Sequence, residues 1–295
     1  MGITFQTFDL LKKNIDEFGK LGDVLTLGRL GNQIDKKSLK LLRLENNRIF
    51  SQIYFDEILV DYLKANSVDS LDNSNFEGAN IICDMNNELK NINKQYDTII
   101  DIGTSEHIFN INQNLINISK LCKKGGRIIH CLPANNQCGH GFWQFSPEIF
   151  FSLYDESNGY QSTKLNLIDS YDNQNYWEIK KGPKNERLEL NSFSPLYIFV
   201  STIKKSENVF QKAQQSDYNY IWNKKSENID TVINKKSSLS IMFKKIKDKI
   251  KYFFRNNYLF EKKFLKYENK KLFLKNFYKK NNNLILFNYE RDGTE

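Results

Sequence analysis

Residues 96–110, YDTIIDIGTSEHIFN, combine an apolar strand with the polar loop that follows it. The first seven residues are mostly apolar, which is typical of a strand that is buried on both faces of a parallel sheet. Gly103, Glu106 and His107 come directly after this strand, and the spacing that follows predicts a helix to about residue 120. The stretch therefore predicts a strand–helix unit with polar residues at the carboxyl end of its strand.

The same alternation continues on both sides of this unit. The pattern predicts further strands over 24–27, 67–71, 80–83, 127–132, 163–170 and 195–203. It predicts further helices over 5–20, 36–64 and 147–154. Strands that alternate with helices indicate an α/β fold, here a Rossmann-like, seven-stranded, mostly parallel sheet with helices on both faces. The last two strands have no long helical pattern between them, so an antiparallel member is allowed there.

The charge of the chain is uneven along its length. The formal net charge is +8, and the excess of lysine and arginine lies in residues 235–295. We expect a domain over 1–205, a polar linker over 206–238 and a basic helical C-terminal extension over 239–295. The basic tail has three interpretations: an amphipathic helix packed on the domain, peripheral attachment to an anionic membrane, and contact with nucleic acid.

Composition excludes several classes of protein. No apolar run reaches the ~18 residues that a membrane-spanning helix needs, and the first residues lack a secretory signal pattern. The four cysteines form no CxxC pair, which fits a reducing compartment. The sequence predicts a cytoplasmic protein, with the inner membrane face as the alternative that the tail allows, and it does not indicate an oligomeric state.

Polar residues follow successive predicted strands. Ligands of open α/β sheets bind beyond the carboxyl ends of the strands, where strand order reverses. Gly28 follows the first of these strands, and a glycine lets a ligand approach the backbone closely. Asp72 follows the second, where a carboxylate usually accepts hydrogen bonds from ribose hydroxyls. Asp84 follows the third and could accept from the exocyclic amine of adenine.

At this point the chain resembles the class I S-adenosylmethionine-dependent methyltransferases. The likeness lies in VDSLDNSNFEGANIICDMN (68–86), YDTIIDIGTSEHIFN (96–110), KKGGRIIHCLPANN (123–136) and GHGFWQFSPEIF (139–150). It looks most like a subgroup that modifies bacterial surface glycans and small molecules. The resemblance implies S-adenosylmethionine as cofactor, S-adenosylhomocysteine as product, and a small-molecule or sugar hydroxyl as acceptor, for example on a surface-glycan precursor. The cofactor-binding residues that it implies are Gly28, Arg29, Asp72, Asp84, Met85, Asp101 and Gly103.

The chain departs from the family's usual first motif. That motif is an acid followed by GxGxG, whereas here the turn reads Leu27-Gly28-Arg29-Leu30-Gly31. The end of the fourth strand is also informative, because methyltransferases that act on DNA adenine carry an Asn/Asp-Pro-Pro-aromatic tetrad there. Residues 104–107 read TSEH instead, which argues against a DNA adenine enzyme.

Three residues are candidates for catalysis. Methylation of an alcohol benefits from a base near the hydroxyl, and histidine has a suitable unperturbed pKa of ~6.5. His140 and His107 are the candidate bases, and Glu106 precedes one of them. Each also has a structural interpretation, as a residue that caps a helix or braces a loop. We expect the acceptor to be lined by Asn135, Asn136, Phe142, Trp143 and Gln144.

His130, Cys131, Cys138 and His140 are residue types that bind zinc and lie within eleven residues, but their placement does not favour a zinc site. His130 and Cys131 are adjacent on a predicted strand, so their side chains point to opposite faces. The sequence therefore predicts no metal. Two alternative functions stay open: an RNA-directed methyltransferase that uses the basic tail, and a non-catalytic binding subunit with a methyltransferase fold.

Overall fold

The structure is a computed structural model of the 295-residue chain. It describes residues 2–90, 93–172, 175–181, 192, 194–207 and 213–215, the single residues 218, 222 and 246, and the backbone of 284–288. The predicted linker over 206–238 and the helix of the basic tail lie almost wholly outside the described residues.

Eleven strands form two sheets in the described part of the chain. In chain order they are β1 (Gly2–Ile3), β2 (Asp23–Leu27), β3 (Gly31–Asn32), β4 (Ser67–Asp72), β5 (Ile81–Ile82), β6 (Tyr96–Ile102), β7 (Cys122–Asn135), β8 (Tyr160–Asp169), β9 (Asn175–Ile179), β10 (Leu196–Lys204) and β11 (Leu284–Asn288). β1 and β3 form a small parallel pair, and the other nine form one sheet in the order β11-β9-β8-β10-β7-β6-β2-β4-β5.

The five strands β5-β4-β2-β6-β7 run parallel to one another. Numbered among themselves along the chain, they have the order 3-2-1-4-5 of a doubly wound sheet, whose direction of winding reverses between β2 and β6. The predicted α/β, Rossmann-like sheet is thus confirmed. β10 inserts antiparallel between β7 and β8, which is the antiparallel member that the sequence allowed.

The predicted number of strands was wrong. The main sheet has nine strands because β9 and β11 extend it beyond β8. These two additions pair antiparallel, so only half of the neighbouring pairs in the sheet are parallel. The sequence assigned residues 284–288 to a helical tail, whereas they form β11 at the edge of the sheet.

Four α-helices are described: α1 (Phe5–Phe18), α2 (Lys36–Leu41), α3 (Ile111–Leu121) and α4 (Pro147–Leu153). The apolar stripe of α1 packs on one face of the sheet, where Phe8 and Leu11 join Ile100 and Ile102 of β6 in the core. α4 packs on the other face, because Tyr154 at its end stacks on His130 of β7. The expectation of helices on both faces is confirmed.

Two helix predictions need correction. The segment 36–64, predicted as one helix, contains α2, a 3₁₀ turn at Arg48–Ser51 and a π-helical turn at Ile58–Tyr62. The helix expected directly after β6 begins only at Ile111, because a 3₁₀ turn, Ser105–His107, comes first. His107 therefore lies in a short turn and not one turn into a helix.

The chain divides into two compact units, one of residues 1–216 with 283–295 and one of residues 217–282. Among the residues that the structure describes, no helix has both the length and the apolar character that crossing a bilayer requires.

Candidate functional site

Gly28 and Asp72 meet at the carboxyl edge of the sheet. Gly28 ends β2 with φ +69°, and a Cβ there would lie 3.0 Å from Oγ1 of Thr104 and 3.8 Å from Oδ2 of Asp72. Thr104 follows β6 and donates to the Leu27 carbonyl at 2.7 Å. The loops after β2, β4 and β6 therefore converge at a turn that only a glycine can form without strain.

Asp84 follows β5 and turns back onto its own loop. Its carboxylate accepts from the Asn86 backbone N–H at 2.9 Å and from Nδ2 of Asn87 at 2.8 Å. These hydrogen bonds lower the pKa of Asp84, the backbone bond from Asn86 most strongly. Met85, the next residue, is buried. The hydrogen bonds to Asn86 and Asn87 make Asp84 part of the turn that follows β5.

Arg29 is held on the surface of the β2–β3 turn. Its guanidinium forms an ion pair with Asp56, with an Nη2–Oδ2 distance of 2.5 Å, and stacks on the Tyr54 ring at 3.9 Å. A carboxylate of a ligand would have to compete with Asp56 for this guanidinium.

Glu106, His107 and His140 come together at the end of β6. The Glu106 side chain is fully buried, and its Oε1 lies 3.4 Å from Nε2 of His140 and 3.8 Å from Nε2 of His107. The two imidazole rings contact each other at a centroid distance of 5.4 Å. We call these three side chains the Glu–His cluster. All three were singled out from the sequence, although His140 comes from a different loop.

The loop that carries His140 is fixed to the backbone of Glu106. The Phe142 N–H donates to the Glu106 carbonyl at 2.7 Å, and the Trp143 N–H donates to it at 3.3 Å. Gly141 lies between His140 and these donors with φ +71°, and a Cβ there would lie only 2.7 Å from the Glu106 carbonyl oxygen. The close approach of the two loops therefore depends on a glycine.

Burial changes the acidity of the cluster. Loss of hydration and the nearby charge of Asp101 raise the pKa of Glu106 to about 8. Burial, and then the neighbouring His140, lower the pKa of His107. Neither oxygen of Glu106, nor Nε2 of His140, has a hydrogen-bond partner among the described residues. An ionised carboxylate without donors is costly when buried, so Glu106 is mostly a neutral acid at pH 7 and becomes ionised only where a ligand or cation compensates its charge.

The Asp101 side chain points into the core of the protein. Its carboxylate is fully buried, accepts from the Ser105 hydroxyl at 2.5 Å and contacts Nδ1 of His130 at 2.7 Å. Nε2 of His130 contacts the Tyr154 hydroxyl at 2.6 Å. These buried hydrogen bonds connect Asp101, through Ser105, to the 3₁₀ turn that contains Glu106. Gly103, two residues before that turn, has φ +79°.

Sequence reasoning missed the role of Tyr154, because nothing in the pattern of α4 separates a buried hydroxyl from an ordinary core aromatic. The hydrogen bonds of His130 to Asp101 and Tyr154 also argue against a zinc site that uses both His130 and Cys131. His130 is bonded on the α4 face, whereas Cys131 lies on the opposite face beside Thr7 of α1.

The five residues expected to line the acceptor do not all lie together in the structure. Phe142 is exposed and packs edge-on against Phe109 at 5.9 Å, and Trp143 donates to the Ile108 carbonyl at 2.9 Å. These rings stand beside the Glu–His cluster. Asn135 is the last residue of β7, and in the loop that follows, the Gln144 amide oxygen accepts from the Gln137 N–H at 3.0 Å. Asn136 donates to the Ser194 carbonyl at 3.3 Å and so faces β10.

Comparisons with known proteins identify only distant likenesses. No family model matches the chain, and no curated protein matches it. Among solved structures, the chain is similar to TehB from Haemophilus influenzae, with 14% identity and a TM-score of 0.40 over 67% of this chain and 62% of that one. It thus spans less than two thirds of TehB.

Two further likenesses have similar values. The N-methyltransferase NodS from Bradyrhizobium japonicum, solved with S-adenosylhomocysteine, has 10% identity and a TM-score of 0.39 over 68% of this chain and 85% of that one. An S-adenosylmethionine-dependent methyltransferase from Clostridium acetobutylicum has 14% identity and a TM-score of 0.28 over 67% and 73%. Likenesses this distant do not identify the activity of the chain.

Proposed function

We propose that this chain transfers the methyl group of S-adenosylmethionine to a hydroxyl group of a small molecule or sugar, for example a surface-glycan precursor. The observation that carries the proposal is the meeting of Gly28, Asp72 and Thr104 at the reversal point between β2 and β6. Ligands of doubly wound sheets bind at this point.

The residues present fit such a cofactor. A Cβ at Gly28 would lie 3.0 Å from Oγ1 of Thr104 and 3.8 Å from Oδ2 of Asp72, so the glycine lets the loops after β2 and β6 approach each other beside Asp72. Oδ2 of Asp72 lies beside this turn, where it could accept from ribose hydroxyls. When bound, the sulfonium supplies an activated methyl group, so the chain's own task is to position and activate the acceptor.

We assign activation of the acceptor to the Glu–His cluster. It follows β6, which lies next to β2 in the sheet, and β2 in turn lies next to β4. Gly28 follows β2, and Asp72 is the last residue of β4. The exposed rings of Phe109 and Phe142 stand beside it and offer an apolar wall to one side of an acceptor. A histidine of the cluster would take the proton of the acceptor hydroxyl, and the oxygen would then accept the methyl group that the bound cofactor supplies, which would leave the cofactor's sulfur as a neutral thioether.

The Glu106 side chain, which is buried without hydrogen-bond donors among the described residues, favours a reactive site over a fold that only binds a partner. A binding subunit gains nothing from burying Glu106 without donors, since such burial destabilises the folded state. The RNA-directed alternative depends on the basic tail, which lies outside the described residues apart from Ile246 and β11.

The test is methyl transfer from isotope-labelled S-adenosylmethionine to a panel of free sugars, nucleotide-activated sugars and small alcohols, read by mass spectrometry. We expect an O-methylated product from the wild-type chain and a loss of at least about 100-fold in rate for Glu106→Gln, comparable to removing an acid–base group. Glu88→Gln, an exposed glutamate that pairs with Lys120, is the control. Transfer to nitrogen only, or an unchanged rate in Glu106→Gln, would contradict the proposal.

A further inference from the structure

The Glu–His cluster holds a buried carboxylate that the fold leaves unsatisfied. Both oxygens of Glu106 lack hydrogen-bond partners among the described residues, and so does Nε2 of His140. Two imidazole nitrogens nevertheless lie 3.4 and 3.8 Å from Oε1, just beyond good hydrogen-bond distance. Three potential ligand atoms thus surround one point without bonding to one another.

We propose that Glu106, His107 and His140 bind a divalent transition-metal ion of the zinc class. One ligand atom from each residue lies within 4.8 Å of the other two. Bonds of about 2.1 Å to a tetrahedral ion would place ligand atoms about 3.4 Å apart. The Glu106–His140 distance of 3.4 Å already has this value, and the Glu106–His107 distance is 3.8 Å.

The backbone holds these ligands in place. Glu106 and His107 share one 3₁₀ turn, and the Phe142 N–H bonds the loop of His140 to the Glu106 carbonyl. The side chains of His107 and His140 are 54% and 41% exposed, whereas Glu106 is fully buried. Because Oε1 of Glu106 and Nε2 of His140 are both buried, an ion held here would be closed on their side, and an open coordination position for a substrate would lie on the side of the more exposed His107.

The donor set selects the class of ion. Two imidazoles and one carboxylate suit zinc, cobalt, nickel or ferrous iron, whereas magnesium and calcium prefer all-oxygen ligands. Cys138 is a possible competing ligand, because its thiol is exposed two residues before His140. It is not among the three grouped ligands, so it provides a matched control.

The role of the ion rests on the proposed function, although its binding does not. An ion held here would coordinate the acceptor oxygen and lower the pKa of the hydroxyl, so that its proton leaves to solvent. The two histidines would then act as ligands and the ion would replace the imidazole base that the sequence predicts.

The test is a titration of the full chain, stripped with a chelator and without cofactor, with Co²⁺ and Zn²⁺. Binding is followed by visible Co²⁺ absorption and by calorimetry. We expect one equivalent to bind to the wild type and to Cys138→Ser. We expect binding to be weakened at least about tenfold in His107→Ala, His140→Ala and Glu106→Gln, since even loss of an outer partner of a metal ligand has an effect of this size. Circular dichroism checks that each variant folds. If Glu106→Gln does not fold, the variants of the two half-exposed histidines decide whether the cluster binds the ion.

No stoichiometric binding to the folded wild type would overturn the proposal, as would binding that survives both histidine substitutions or is lost only in Cys138→Ser. Cofactor binding to the ion-free chain is measured separately. Ion binding without cofactor binding would refute the proposed methyl transfer and leave the metal site standing. Cofactor binding without ion binding would leave a histidine as the base.

Discussion

Gly141 connects the two loops that make the Glu–His cluster. Its φ is +71°, and it passes so close to the Glu106 carbonyl that a side chain would collide with it. Gly139, two residues earlier, has a similar φ of +87° but no atom within 4 Å of its Cβ direction. The two glycines therefore differ in contact but not in backbone conformation.

This difference gives a matched pair of substitutions. Gly139→Ala should lower the free energy of unfolding by about 1 kcal/mol through left-handed backbone strain alone. Gly141→Ala should lower it by at least about 2 kcal/mol, because the strain is joined by a clash with Glu106. Denaturant titration measures both, and the methyl-transfer rate should fall only in Gly141→Ala. Equal effects of the two variants on stability and rate would show that the contact with Glu106 is unimportant.

The sequence predicted where individual residues lie relative to the strands better than it predicted their surroundings. Gly28, Asp72 and Glu106 were identified because each follows a strand, and strand ends share one edge of the sheet. The inward turn of Asp101 could not be predicted, since its position in the strand pattern does not reveal the buried partners His130 and Tyr154. The separation of Asn136 from Phe142 also depends on loop geometry, which strand and helix periodicities do not encode.

Two helices have a buried cationic side chain at their C-terminal ends. Arg127 of β7 is 5% exposed and donates to the Phe18, Gly19 and Lys20 carbonyls at 2.8–3.1 Å, at the C-terminal end of α1. Lys204 of β10 donates to the Ser119 and Cys122 carbonyls at 2.8 Å, at the end of α3. Each cation satisfies helix-end carbonyls and complements the helix dipole, so each ties a helix to the sheet.

We expect Arg127→Met to lower the free energy of unfolding by at least about 2 kcal/mol, because carbonyls of the α1 end lose charged donors in a buried setting. Lys124→Met, at an exposed position of the same strand, should change it by less than about 0.5 kcal/mol. Thermal and urea unfolding of both variants provide the measurement. An Arg127→Met variant as stable as the wild type would mean that water replaces the arginine at this helix end.

Element prediction succeeded where apolar runs were long and failed where they were broken. β6 and β7 were predicted from their apolar runs, although the paired strand of β7 extends to Cys122 and Asn135. The segment 36–64 was not one helix, since Asn46 and Asn47 interrupt its apolar spacing and Asn47 caps the 3₁₀ turn instead. β9 was missed because Asn175–Ile179 alone is too short to separate from a loop.

At the scale of the whole molecule, strand order decides which residues can act together. Gly28, Asp72 and Thr104 follow three neighbouring strands, and the cluster follows the third of them, β6. The sequence predicted this gathering at one edge through the alternation of strands and helices. It did not predict β9 and β11, which lengthen the opposite side of the sheet and leave the β2–β6 reversal point unchanged.

The central claim is that this reversal point binds S-adenosylmethionine. The most direct test is isothermal titration of the full chain with S-adenosylmethionine and S-adenosylhomocysteine, on the wild type, on Asp72→Ala and on the exposed-surface control Asp16→Ala. We predict micromolar binding of both ligands to the wild type and to Asp16→Ala. Asp72→Ala should bind at least about tenfold more weakly, as expected when hydrogen bonds to a charged group worth about 1.5–3 kcal/mol are lost. No binding of either ligand to a folded wild-type sample, or equal affinity in Asp72→Ala, would contradict the account.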